Sequence, residues 1–223
     1  EINVTPDRGY AFSMRGVGRE LAHSTGAAFT DPALAVTPAE ADGFAVELHD
    51  EAPVRGRAGA PGFIGRVVRG LNPAAPTPAW MLSRLQLAGI RSLGLAVDVS
   101  NYVMLEIGNP MHAYDLGKLS GGITVRRAAP GETLVTLDGQ ERKLHAEDLV
   151  IADESGVIGL AGVMGGESTK TDDATTDVFI EAATFDPISI ARTARRHKLT
   201  SEASKRFERG VDPLIGRAAA QRM

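Results

Sequence analysis

Apolar positions in the first half of the chain keep helical spacing in places, and from residue 123 onward they shift to alternation and short solid runs. Val17, Leu21 and Ala22 fall on one helical face behind Ser13, a hydroxyl suited to an N-cap, so a helix is expected between the loop at Pro6 and Gly26. Residues 27–43, rich in Ala, Pro, Asp and Thr, read as a connector. Residues 44–48 alternate as a strand does, 49–61 read as a loop, and 63–71 form a second strand before Pro73, Pro76 and Pro78. A helix is expected over about 77–88, with Pro78 in its first turn and Gly89 closing it. After 96–99 a further helix is expected to start near Ser100.

Strands dominate the second half. Residues 133–137 and 141–144 flank Asp138-Gly139, a dipeptide that suits a tight hairpin turn. Residues 149–152 and 157–160 flank Ser155-Gly156 in the same way, and 178–182 is apolar and β-branched enough for a buried strand. Two helices follow, over about 188–197 and 201–209. Strands and helices mix without βαβ alternation, so the expected fold class is α+β, with mixed and antiparallel sheets and packed helices.

Composition changes this picture little. The chain has 223 residues, 43% apolar and 23% charged, as in an ordinary globular protein able to bury a sizeable core. No apolar run approaches a bilayer span and no signal-peptide pattern opens the chain. With no cysteine there is neither disulfide nor thiolate metal site, which makes a cytoplasmic setting the default. The chain starts and stops inside helix-bound patterns, as an excised piece of a longer protein would.

Net charge is −4, against the basic surface of a non-specific nucleic-acid binder. Yet Arg192, Arg195, Arg196, Lys198, Lys205, Arg206 and Arg209 crowd one stretch, opposed there by Glu202 and Glu208. That run is either a solvated helical surface or a contact for phosphates, and spacing alone does not decide between them.

Several chemistries are absent from the sequence: no G-x-S-x-G elbow, no P-loop, no G-x-G-x-x-G. His23, His49, His112, His145 and His197 show no helical pair at metal-ligand spacing, so no metal site is expected. The informative segment is residues 100–115, where Ser100, Asn101, His112 and Asp115 surround the Gly108-Asn109-Pro110 break. His112 follows that turn and is expected off any regular face, as a structural histidine or as a pocket wall that donates to a ligand or water. Asn101 is either a helix-start residue or part of such a pocket. Gly159, Gly162, Gly165 and Gly166 strip a strand of side chains, for tight sheet packing or for close approach of a ligand. Glu181, between apolar neighbours, is solvated at a strand edge or buried with a partner, and an unpaired buried carboxylate is costly.

Gly89-Ile90-Arg91, residues 97–103, Asn109 to Asp115, Ala161 to Glu167, Glu181-Ala182-Ala183, Ala194 to His197 and Ser201 to Asp212 follow one another in an order that resembles the β subunit of bacterial phenylalanyl-tRNA synthetase. The resemblance covers residues 50–223 as its B3/B4 editing domain, and residues 1–45 resemble part of the preceding B1 domain. It implies hydrolysis of tyrosine wrongly esterified to the acceptor end of tRNA(Phe). A pocket shaped for phenylalanine cannot strongly reject an isostere that adds a hydroxyl, so a second site must remove the error. In that family's pattern Glu181 matches the residue that recognises the phenol. His112, Asn101, Ser100 and Arg91 match residues lining the pocket, and Gly162 and Gly165 match backbone close to the amino acid. Ser201 and Ala203 match small wall residues, Ser201 standing where the family often has Thr and so leaving a methyl's worth of room.

By the same resemblance Arg192, Arg195 and Arg196 are expected to contact tRNA. His112 and Asn101 are expected to hold an attacking water or the ester carbonyl, with orientation and electrostatics supplying most of the rate. ATP, magnesium and the α subunit of an α2β2 tetramer are implied for the whole enzyme. The family's aminoacylation residues are not carried in this stretch, so no cofactor is expected here and aminoacylation is not expected of it. A non-catalytic scaffold that positions tRNA or the α subunit is the alternative. A general esterase lacks a visible nucleophile–base pair.

Overall fold

A computed structural model describes residues 2–38, 40, 43–50 and 54–223. Its helices are α1 (Met14–Thr25), α2 (Ala79–Leu87), α3 (Leu95–Ile107), α4 (Pro187–Arg196), α5 (Glu202–Phe207) and α6 (Gly216–Arg222). Its strands are β1 (Val46–His49), β2 (Gly62–Val68), β3 (His112–Asp115), β4 (Ile123–Arg127), β5 (Thr133–Val135), β6 (Glu141–Lys143), β7 (Leu149–Asp153), β8 (Gly156–Leu160), β9 (Met164–Gly165) and β10 (Val178–Thr184). The fold class is α+β. The predicted connector 27–43 and loop 49–61 each include residues outside those described.

Local chemistry explains most element ends. Ser13 Oγ accepts from Gly16 N (3.0 Å) and opens α1, and Gly26 closes it at φ +73°. Asp186 accepts from Ser189 N (2.8 Å) ahead of Pro187 in α4, and Ser201 forms a capping box with Ser204 in α5. Asp138-Gly139 lies in the turn from β5 to β6 as its dipeptide predicts, whereas the β7–β8 turn falls one residue earlier than expected, on Glu154-Ser155, with Gly156 already in β8 opposite Asp153.

Three expectations are corrected. The helix expected to start near Ser100 begins at Leu95, because the buried Asp98 carboxylate collects Leu93 N, Thr77 Oγ1 and Ser92 Oγ and fixes the chain upstream. Ser100 and Asn101 therefore lie mid-helix. His112 is not off a regular face: it is the first residue of β3. The left-handed Gly108 (φ +103°) ends α3, Asn109-Pro110 turns the chain, and pairing with β10 makes residues 112–115 extended. Helix α6 was not expected at all, since its Ala-rich sequence carries little periodic contrast.

Two sheets face each other. The smaller has order β2-β10-β3, antiparallel throughout. The larger has order β1-β4-β7-β8-β9, with β1 parallel to β4 and the other pairs antiparallel. Tyr114 and Phe179 of the small sheet pack in one core with Ile123, Val125, Leu149, Ile151, Ile158 and Leu160 of the large one. The small sheet's other face is covered by α6, where a Cβ on Gly216 would meet Ala182 O at 3.1 Å and Ile64 at 3.3 Å. The N-terminal segment is tied in by buried Arg15, which pairs with Asp31 (2.8 Å) and Asp212 (3.0 Å). Phe12 lies under the cations of Lys205, Arg206 and Arg209.

Candidate functional site

Because successive strand residues face opposite ways, Glu181 and Phe179 of β10 share the inner face of the small sheet with His112 and Tyr114 of β3. Glu181 stands directly opposite His112 in the ladder, and Gly65 of β2 stands on its other side. A cleft opens between this face, the stretch from Gly159 to Gly165 on the large sheet, and Ala203 and Phe207 of α5. Its volume is about 90 Å³, against roughly 150 Å³ for an engineered core cavity that admits benzene. A phenyl-sized ring enters it only with small displacements of the lining side chains.

The polar groups of this cleft are few and buried. Tyr114, 1% exposed, donates its phenol to Glu181 Oε2 at 2.5 Å. Burial pushes the Glu181 carboxyl up to about 7, with the Tyr114 hydrogen bond working the other way. Burial and the neighbouring carboxylate push the Tyr114 phenol well above its ordinary value. Burial lowers His112 to about 4, so its imidazole is neutral at pH 7. His112 Nε2 is buried and has no hydrogen-bond partner among the described residues. A buried polar atom left unsatisfied costs stability, and such atoms mark places where function or a bound molecule accounts for the cost.

The glycines divide into two kinds. A Cβ on Gly165 would meet the His112 ring at 2.6 Å, so this glycine makes room for the imidazole itself. Gly162 lies in the left-handed region at φ +65°, and its Cβ would meet Phe185 (2.8 Å), Ile190 and Phe207 (both 3.0 Å). Its backbone borders the cleft while its missing side chain is excluded by the core.

Of the residues expected at the site, His112, Glu181, Gly162, Gly165 and Ala203 come together. Ser100, Asn101 and Arg91 do not line the cleft. Ser100 Oγ donates back to Val97 O within α3 (2.7 Å), Asn101 is half-buried on that helix, and Arg91 is exposed. Ser201 acts one step removed: it caps α5 and donates to Val163 O at 2.8 Å, fastening that helix to the glycine-rich segment. Tyr114, Phe207 and Ile151 were not singled out in the sequence. The signal for Tyr114 was there in the period-two spacing from His112, once residues 112–115 are read as a strand.

The basic run is largely absorbed. Arg192 pairs with Glu147 (3.0 Å), and Arg196 pairs with Glu147 (2.7 Å) and with buried Asp148. Arg206 is buried and pairs with Glu202 (2.6 Å). Arg195 is exposed, its side chain unpaired among the described residues, in a shallow groove with Arg55 and Glu208. Among the described residues no three His, Cys, Asp or Glu side chains cluster as metal ligands.

The family model of the B3/4 domain matches residues 59–223. The chain belongs to the B3/4 domain family. The match takes in every residue that lines the cleft. The chain is also 66% identical to the phenylalanine–tRNA ligase beta subunit of Leifsonia xyli subsp. xyli (strain CTCB07), covering 100% of this chain and 27% of that one. It is 59% identical to the subunit of the same name from Streptomyces avermitilis, covering 100% of this chain and 26% of that one. A solved N-terminal fragment of the phenylalanyl-tRNA synthetase beta-subunit from Pyrococcus horikoshii aligns at a TM-score of 0.46 and 17% identity, over 86% of this chain and 59% of that chain. The B3/4 chain described here thus spans about a quarter of the length of the curated relatives it matches.

Proposed function

We propose that this B3/4 domain is the editing site of a phenylalanine–tRNA ligase beta subunit, hydrolysing tyrosine esterified to tRNA(Phe). The observation that carries the reading is the pairing, in one apolar cleft, of a buried carboxyl at Glu181 with a neutral imidazole whose Nε2 lacks a partner. Glu181 is the acceptor for a phenol. Phenylalanine would leave that acceptor unpaired, which costs about 1–3 kcal/mol for a buried group, so the correct product is disfavoured where the wrong one is held.

The reaction needs no covalent intermediate. Water attacks the ester carbonyl carbon, the acyl–oxygen bond to the terminal ribose breaks, and the ribose oxygen takes up a proton. Tyrosine and free tRNA leave. His112, being neutral, can orient the water or the ester by a hydrogen bond, and the neighbouring ribose hydroxyl assists the proton transfer. Asn101 and Arg91 stand outside the cleft, so any part they take is with the sugar or phosphate end of the ester. Arg195, exposed like Lys198 and with its side chain unpaired among the described residues, is a cation open to the tRNA backbone. Aminoacylation, with its ATP, magnesium and α subunit, is assigned to other parts of the enzyme.

The test is deacylation of tyrosyl- and phenylalanyl-tRNA(Phe) by the full-length subunit with its partner, beside Glu181→Ala. Tyrosine-selective hydrolysis that the variant loses supports the reading. Equal hydrolysis of both esters, or none above the uncatalysed rate, overturns it and leaves a positioning scaffold.

A further inference from the structure

Glu181 has a protein partner already, and that partner is itself a phenol. Tyr114 Oη donates to Oε2 at 2.5 Å, and this is the carboxyl's one hydrogen bond among the described residues. The same ring stands edge-on to His112, with centroids 4.4 Å apart and planes at 88°, and is tilted against Phe179 at 6.1 Å. One side chain therefore touches both polar groups of the cleft.

Hydrocarbon packing at this position would be served equally by phenylalanine. What tyrosine adds is a donor that cannot readily ionise beside a carboxylate, so its hydrogen bond runs one way, into Glu181. A buried carboxylate stripped of that donor would keep its proton. A protonated acid is itself a donor and can hydrogen-bond to groups other than a hydroxyl, which removes the reason to prefer a phenol.

We infer that Tyr114 is a positioning residue that sets the cleft's selectivity for hydroxyl-bearing rings, by holding one oxygen of Glu181 and keeping the other as an acceptor. This rests on the cleft being the site of recognition proposed above, and deepens it by naming the group that makes Glu181 discriminate. The carboxyl has few other influences. Facing it are His112 on β3, Gly65 on β2, Ile151 and the 159–165 stretch of the large sheet, and Ala203 and Phe207 of α5. Of these His112 alone titrates, and it is neutral above about pH 4.

The experiment is Tyr114→Phe in the full-length protein, which keeps the ring contacts to His112 and Phe179 and removes one oxygen. The Glu181 carboxyl is titrated by infrared difference spectroscopy against Glu181→Gln. Binding of tyrosinamide and phenylalaninamide, which report recognition without hydrolysis, is measured from pH 6 to 9. The expected result is an upward move of the Glu181 midpoint by a unit or more, and a fall of about tenfold in the tyrosinamide preference at pH 7. That preference should recover toward pH 9 as the carboxyl ionises. An unchanged midpoint, or an unchanged preference at every pH, overturns the inference and leaves Tyr114 as packing. If tyrosyl-tRNA hydrolysis fails but midpoint and preference both move, the editing reading falls and the role of Tyr114 stands.

Discussion

His112 and Glu181 face each other across one rung of the β3–β10 ladder, and burial displaces the two in opposite directions, the imidazole to about 4 and the carboxyl to about 7. Their effects on stability therefore have opposite slopes. Glu181 holds its proton up to about pH 7 when folded, so the stability it contributes is full below pH 4.5 and is lost as pH rises through about 7. His112 stays neutral when folded, so stability is full above 6.5 and falls as pH drops toward 4.

The two slopes offset each other between the ordinary carboxylate and imidazole ranges, and separate above them. Glu181→Gln should therefore stabilise the fold at pH 8, by up to about 3 kcal/mol, and do little at pH 4. Denaturant melts of the variant at the two pH values check this. A gain that is equal at both would show that burial does not perturb Glu181.

Gly165→Ala and Gly162→Ala should fail for different reasons. A methyl at 165 meets the far end of the His112 ring, which can swing away at a cost of about 1 kcal/mol. Displacing the imidazole should lower tyrosyl-tRNA hydrolysis about 100-fold. Activity measured beside thermal stability separates the two losses.

A methyl at 162 meets three core rings and chains, on a backbone at φ +65° that L side chains rarely adopt. This variant should lose about 3 kcal/mol of stability. Urea denaturation reads the effect directly, and a fold as stable as the parent would contradict the packing.

Asp148 is fully buried, and it holds α4 to the large sheet through Arg196, His197 Nε2 (2.7 Å), Thr193 Oγ1 (3.1 Å) and His145 N (2.9 Å). Burial pushes its carboxyl up, but hydrogen bonds and charge from His197 and Arg196 outweigh it, and the net displacement is downward. Asp148→Ala should cost about 3–5 kcal/mol, since it strands buried partners. The parent should also lose this contribution as pH falls through the lowered carboxyl range, and the variant should show a flatter acid limb in a pH series of melts.

Arg15 offers a parallel test at the other end of the chain. It is buried against Asp31, which it holds at about 2, and against Asp212. Arg15→Met should cost about 3 kcal/mol by leaving Asp212 without its cation and Asp31 with Arg19 alone. It should also loosen the N-terminal helix α1 before the rest, visible as early amide exchange over residues 14–25.

Much was legible from local chemistry, which the sequence carries in full. Ser13 marked a helix start, Asp138-Gly139 marked a turn, and the solid run at 178–182 marked the buried central strand. The α+β class followed from the order of those elements. Glu181 and His112 drew attention as polar residues in apolar surroundings.

Tertiary structure decided the rest. Residues 112–115 are extended because β10 pairs with them, a partner more than sixty positions away that no local pattern announces. That pairing alone puts His112 opposite Glu181 and brings Tyr114 within a hydrogen bond of it. Similarly, Ser100 and Asn101 looked like a helix start until Asp98 gathered its three donors upstream and moved the start to Leu95. Charge behaved the same way: the basic run read as one free face, but Glu147, Asp148 and Glu202 neutralise most of it across the fold. Residue type and short-range spacing fix turns, caps and strand character, whereas burial, pairing and the protonation they impose exist only once distant segments meet.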